Sequence, residues 1–122
     1  MPADLIARAH EAGVVWLQQV MNRQQAEEAG AGGADVLIAQ GGEAGGNGGW
    51  VSTMVLVPQV VDVAGDLPVV AAGGIADGRG LAAALALGAS GVAWAPASWP
   101  RSRCPSPRRG NSASSTPTPW TR

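Results

Sequence analysis

The 122-residue sequence predicts an α/β fold: a parallel sheet of about four strands whose connections are helices. Three observations predict it. Short apolar runs of strand length alternate with segments of helical period, the rhythm of successive strand-helix-strand units. Glycine clusters follow directly on two of those runs, where a strand turns into a helix. The apolar content is 46% yet includes no Phe and no Tyr, so the core rests on Ala, Val and Leu, which suit helices packed closely on a sheet. At this length the chain falls far short of the roughly 250 residues that a closed eight-stranded α/β barrel needs.

Each element has its own signal. From Asp4 to Ala12, the apolar residues Leu5, Ile6, Ala9 and Ala12 recur with helical period, and Gly13 is the stop. "VVWLQQV" (Val14 to Val20) reads as the first strand. Asn22 can cap a helix running from Gln24 to about Ala29, after which "GAGGA" loosens the chain before the second strand, Asp35 to Gln40. Beyond the glycine loop, Ser52 or Thr53 can cap a helix carrying Met54, Val55, Val57, Val60 and Val61, with Pro58 as an internal irregularity. Leu67 to Gly74 is the third strand. Asp77 caps a helix through "GRGLAAALALGA" that ends at Gly88, and Ser90 to Trp94 begins the fourth strand.

Charge separates body from tail. The formal net charge is −1, but all nine acidic residues lie at or before Asp77, whereas five of the eight Arg lie in the last 22 positions. Those arginines lack the interleaved aromatic residues of a nucleic-acid surface, so no nucleic-acid partner is expected. Leu81 to Ala97 carries no charge, but Gly88, Gly91 and Pro96 interrupt it, and a helix followed by a strand describes it better than a membrane span. With Cys104 as its one cysteine, the chain can make no intrachain disulfide and no cysteine metal cluster; a reducing cytoplasm is the expected location and no metal site is expected.

The chemistry-bearing segments are "GGEAGGNGG" (Gly41 to Gly49), with six glycines in nine positions, and "GGIADG" (Gly73 to Gly78). Both follow strands at their carboxyl ends, where parallel α/β folds bind ligands. Ordered glycines at such density mean that the backbone approaches something closely, although a flexible linker is the plain alternative for the first cluster and a strand-to-helix turn for the second. The second can aim backbone amides at a phosphate with a helix dipole behind them. Neither is a "GxGxxG" fingerprint or a Walker loop, so a dinucleotide fold or nucleotide P-loop is not supported. Glu43 reads as a solvated loop carboxylate and His10, beside Glu11, as a surface side chain.

Together, "LIARAHEAGV", "ADVLIAQGGEAGG", "TMVLVPQVVD" and "PVVAAGGIADGRGLAAALALGASGV" resemble the nitronate monooxygenases, formerly 2-nitropropane dioxygenases, over about residues 3 to 93. Flavin-dependent enoyl-acyl-carrier-protein reductases look similar over the same blocks. The resemblance implies a partial TIM-type (β/α) barrel and an FMN cofactor, with alkyl nitronates or nitroalkanes and dioxygen as substrates. It further implies that the Gln40 amide and the Gly45 backbone contact the flavin, while Gly73 and Gly74 lie at its phosphate. Asn47 stands where the family usually carries a histidine that serves as base or electrostatic partner. An amide can hydrogen-bond a substrate oxygen but cannot take a proton.

After Val92 the family pattern continues with a motif like Met-Gly-Thr-Arg-Phe-Leu-Ala, and here the chain reads "WAPASWP" (Trp94 to Pro100). Codons ATG GGC ACC CGC TTC CTG GCC, read one base later, give TGG GCA CCC GCT TCC TGG CC, which translates as Trp-Ala-Pro-Ala-Ser-Trp-Pro. We therefore read residues 1–93 as the barrel-like part and residues 94–122 as a disordered, out-of-frame tail, in which Trp94, Trp99, Trp120 and Cys104 have no selected role. Half a barrel leaves two open sheet edges and a bare inner face, so self-association or a complementing barrel half is expected. A non-catalytic flavin- or phosphate-binding half-barrel, or a gene remnant, is the alternative to an active oxidoreductase.

Overall fold

The computed structural model describes residues 3–46 and 48–94, so Asn47 and the expectations for 95–122 lie outside the described residues. Eight elements alternate: α1 (Ala3–Glu11), β1 (Leu17–Val20), α2 (Arg23–Ala31), β2 (Val36–Gln40), α3 (Thr53–Ala64), β3 (Val69–Ala72), α4 (Gly78–Ala86) and β4 (Gly91–Ala93). The strands form one parallel sheet in the order β1-β2-β3-β4. Each neighbour in space is thus the next strand in sequence, joined through one helix, as repeated βαβ units require.

Register sorts the side chains onto two faces. Val20 pairs with Ala39 and Leu37 with Val69, so Val20, Leu37, Ala39, Val69 and Ala71 share a face. On that face they pack with Ala26 of α2, with Leu56, Val57 and Val60 of α3, and with Ala84 of α4 to form the core. The opposite face carries Leu17, Gln19, Val36, Ile38, Gln40 and Val70, and Leu17 is 54% exposed there. Among the described residues no helix packs its apolar stripe on it.

Two helix starts obey their capping signals. The Asn22 carboxamide oxygen accepts from Gln25 N at 2.8 Å, and the Asp77 carboxylate accepts from Arg79 N at 2.9 Å. Pro58 lies inside α3 without ending it. Its ring deprives the Met54 carbonyl of a helical donor, which is tolerable because Met54 is exposed near the helix start. No helix among the described residues is long and apolar enough to cross a membrane.

The first strand is shorter than its apolar run. Pairing begins only at Leu17, opposite Val36, and Val14 and Val15 are exposed. The chain before Trp16 is committed to ending α1, where Val14 N donates to the Ala9 carbonyl at 2.9 Å. Val14 and Val15 therefore face no strand residue of β2. The ladder opens instead on a side-chain clamp: Trp16 N donates to the Asp35 carboxylate at 2.6 Å, while Asp35 N donates to the Trp16 carbonyl at 3.0 Å. His10 lies on the surface, but its Nε2 is 2.8 Å from the same Asp35 oxygen and ties the end of α1 to the start of β2.

The Trp16 amide first, and the His10 side chain second, hold the Asp35 carboxyl below the usual aspartate range. A depressed folded-state pKa contributes stability that is complete above the unfolded value and fades as pH falls through the folded one. Asp35→Ala is expected to lower the thermal midpoint by a few degrees at neutral pH. The gap from wild type should narrow below about pH 4, as followed by circular dichroism melts from neutral to acid.

Candidate functional site

The site is built where β2 and β3 end. Gly41 N donates to the Ala72 carbonyl at 2.9 Å and prolongs the ladder by one bond beyond β2. The chain then folds back through a turn in which Ala44 N donates to the Gly41 carbonyl at 3.1 Å. Gly42 N, donating to the Val51 carbonyl at 2.8 Å, closes the base of the loop. The first glycine cluster is thus a closed loop with its own hydrogen bonds and not a linker.

Glu43 anchors this loop to α3. Its Oε2 accepts from Thr53 N at 2.9 Å and from the Thr53 hydroxyl at 2.8 Å. The carboxylate caps the helix start, where Ser52 supplies no side-chain cap bond. Those two donors, amide first, lower the Glu43 pKa and keep it ionised. Thr53 is the one buried polar residue of the described core at 8% exposure, and its hydroxyl also lies 3.0 Å from the Gly73 carbonyl. With one proton to offer, the hydroxyl favours the charged acceptor. Thr53 therefore stands between the two glycine clusters and touches both.

Absence of side chains makes this possible at two positions. A Cβ on Gly41 would lie 2.5 Å from Thr53 N and 2.7 Å from Glu43 Oε2, in the space the capping bond occupies. Gly73 has φ +111°, a conformation that L side chains rarely adopt, and a Cβ there would meet Ala44 N at 2.9 Å. Gly74 follows with φ +68°, and a Cβ there would meet the stem of Glu43 at 3.3 Å. The two turns leave no room for side chains between them at these positions.

Around them lies a cleft of about 480 Å³ at the carboxyl ends of β2, β3 and β4, lined by Gln40, Glu43, Gly45, Gly73, Gly74 and Trp94 among others. All four residues expected at a cofactor, Gln40, Gly45, Gly73 and Gly74, share this one cleft. The Gln40 side-chain amide reaches towards the Gly45 carbonyl at 3.5 Å. Trp94, given no role from sequence, is half-exposed at the β4 side of the cleft. A separate hollow of about 400 Å³ beside β1 and α2 holds none of the expected residues. Among the described residues no cluster of His, Cys, Asp or Glu could hold a metal ion.

Glu43 has a second role. It is an exposed loop carboxylate, as its sequence context suggests, but it also serves as a helix cap, supplied from ten residues upstream. Local capping signals extend about three residues, so only the Ser52 or Thr53 hydroxyl was visible as a cap candidate. The Thr53 amide does start the helix, but its acceptor comes from the loop.

A family model described as nitronate monooxygenase matches residues 1–98. A Rhodococcus jostii protein named (3aS,4S,5R,7aS)-5-hydroxy-7a-methyl-1-oxo-octahydro-1H-indene-4-carboxyl-CoA dehydrogenase is 54% identical over 90 residues, which cover 74% of this chain and 25% of that one. Among solved structures, FabK from Thermotoga maritima is 46% identical with a TM-score of 0.71, covering 75% of this chain and 29% of its own. The nitroalkane oxidase of Streptomyces ansochromogenes is 40% identical with a TM-score of 0.69, covering 74% and 29%. The chain spans about a quarter of the length of the curated relatives it matches.

Gly73→Ala is expected to destabilise the chain by about 1–3 kcal/mol through the positive φ alone, with the clash against Ala44 adding to it. Urea denaturation followed by circular dichroism measures the loss; an unchanged midpoint would mean that the turn accepts a side chain.

Proposed function

The chain belongs to the nitronate monooxygenase family, and from that premise we propose that it forms the flavin-facing part of an FMN-dependent oxidoreductase that oxidises alkyl nitronates with dioxygen. The observation that carries the reading is the meeting of Gln40, Gly45, Gly73 and Gly74 around one cleft at the carboxyl ends of the strands. The residues suit the cofactor. The cleft volume lies in the range of small-molecule sites, and the consecutive positive-φ residues Gly73 and Gly74 make a turn that can direct backbone N–H groups at a phosphate. Gly45 has open space where a side chain would stand, so a planar ligand can approach its backbone.

In this reading the Gln40 amide and the Gly45 backbone orient the ring system, and the Gly73-Gly74 turn holds the phosphate end. When bound, the flavin supplies the electron acceptor that passes electrons on to dioxygen. An amide at position 47 can hydrogen-bond a substrate oxygen but cannot abstract a proton, a step that a nitronate, already deprotonated, does not require. The bare sheet face with Leu17, Val36, Ile38 and Val70 takes its cover from a second copy or from a polypeptide carrying the remaining barrel. A cytoplasmic setting suits a chain with one cysteine.

A second reading has its own support. The relative named for a carboxyl-CoA substrate is 54% identical, against 40% for the nitroalkane oxidase, so an acyl thioester is the competing substrate class. A flavin-dependent enoyl-thioester reductase would use the same cleft.

The purified chain, mixed with FMN and freed of unbound ligand, is expected to keep the yellow flavin absorbance at near one per chain. Loss of all colour would overturn the reading. In a chain that holds FMN, Asn47→His is expected to raise turnover of the neutral nitroalkane roughly tenfold or more, as a newly supplied general base would, while nitronate turnover changes little; equal changes for both substrate forms would deny position 47 a role in proton removal.

A further inference from the structure

Glu43 lines the candidate cleft, yet its side chain accepts its two hydrogen bonds from Thr53, at the start of α3. It also borders a second, smaller cavity of about 110 Å³ between α3 and α4, so its carboxylate lies in the wall between the two hollows. On one side of that wall is the Ala44-Gly45 backbone; on the other is the start of α3. Through Thr53 the same wall reaches the Gly73 carbonyl, and through its own stem it meets Gly74.

We infer that Glu43 is a positioning residue: with Thr53 it forms a latch that sets the spacing of the two glycine turns, so that both backbones face one ligand. The inference rests on the proposed cofactor site. Glycine-rich turns lose much conformational freedom on ordering and have few side chains with which to offset that loss. Here one ionised oxygen receives both an amide and a hydroxyl donor, which makes the contact stronger than a neutral pair. Gly41 has no side chain to obstruct it, and Thr53 is buried where it makes the contact. Breaking the latch frees the loop to sample arrangements in which Gly45 and Gly73 no longer converge.

The test uses the full 122-residue chain as wild type, Glu43→Ala, Thr53→Val and Thr53→Ser. FMN binding is titrated, and amide hydrogen exchange is read at Ala44, Thr53 and, as a core control, Leu37 without ligand. Glu43→Ala and Thr53→Val are each expected to weaken FMN binding roughly tenfold or more and to accelerate exchange at Ala44 by a similar factor, with Leu37 unchanged. Thr53→Ser, which keeps the hydroxyl, should stay within about twofold of wild type. If Glu43→Ala does not fold, Thr53→Val against Thr53→Ser carries the same comparison. Wild-type FMN affinity and unchanged Ala44 exchange in Thr53→Val would overturn the latch while leaving the flavin reading intact. A wild-type chain that binds no FMN would sink the flavin reading, and exchange at Ala44 would then decide the latch alone.

Discussion

The contact on which the site depends is the one between the Glu43 carboxylate and the first residue of α3. Through it, a loop with six glycines in nine positions has a fixed anchor, and the helix that supplies Leu56, Val57 and Val60 to the core has its N-terminus capped. One bond pair thus serves two purposes that usually fall to separate residues. The helix start gains a negative charge beside its unpaired N–H groups. The loop gains an attachment to an element that cannot move without disturbing the core. The Thr53 hydroxyl also lies 3.0 Å from the Gly73 carbonyl after β3, so the same residue touches the second turn.

The sheet explains why the attachment is needed there. Parallel strands joined by helices on one side bring every strand-to-helix turn to the same end, so the turns after β2 and β3 meet as neighbours and not at random. Meeting is not the same as being ordered. Backbone bonds settle part of the loop, Gly41 to Ala72, Gly42 to Val51 and Ala44 to Gly41, but the turn around Glu43 must still be placed against its neighbours. Its conformation is set by the side chain of Glu43 and by the close approach of Ala44 to Gly73. At the opposite, amino-terminal end of β2 a comparable device operates, where Asp35 clamps the Trp16 amide and pairs with His10. In both places a loop carboxylate completes what the strand ladder leaves open.

Much of the fold was legible because its signals are local. Asn22 and Asp77 sit at caps that their own side chains make, and the apolar runs of β2 and β3 lie where the strands are. Gln40, Gly45, Gly73 and Gly74 were named by the family resemblance, and their gathering around one cleft accords with the rule that loops at strand carboxyl ends converge. Val14 and Val15 failed to join β1 because an apolar run says only that residues can pair. Whether a partner strand is opposite them depends on where β2 begins, at Val36. The capping role of Glu43 is not legible for a similar reason: its partner is ten residues away, across a loop whose path no periodicity describes.

By itself the sequence determined the element types, their order and the two glycine clusters, since hydrophobic period, caps and turn residues act over a few positions. Only the tertiary structure decided the strand register, the clamp at Asp35 and the latch from Glu43 to Thr53. Those depend on distances between residues far apart in the chain, and such distances exist only after the sheet and its helices have packed.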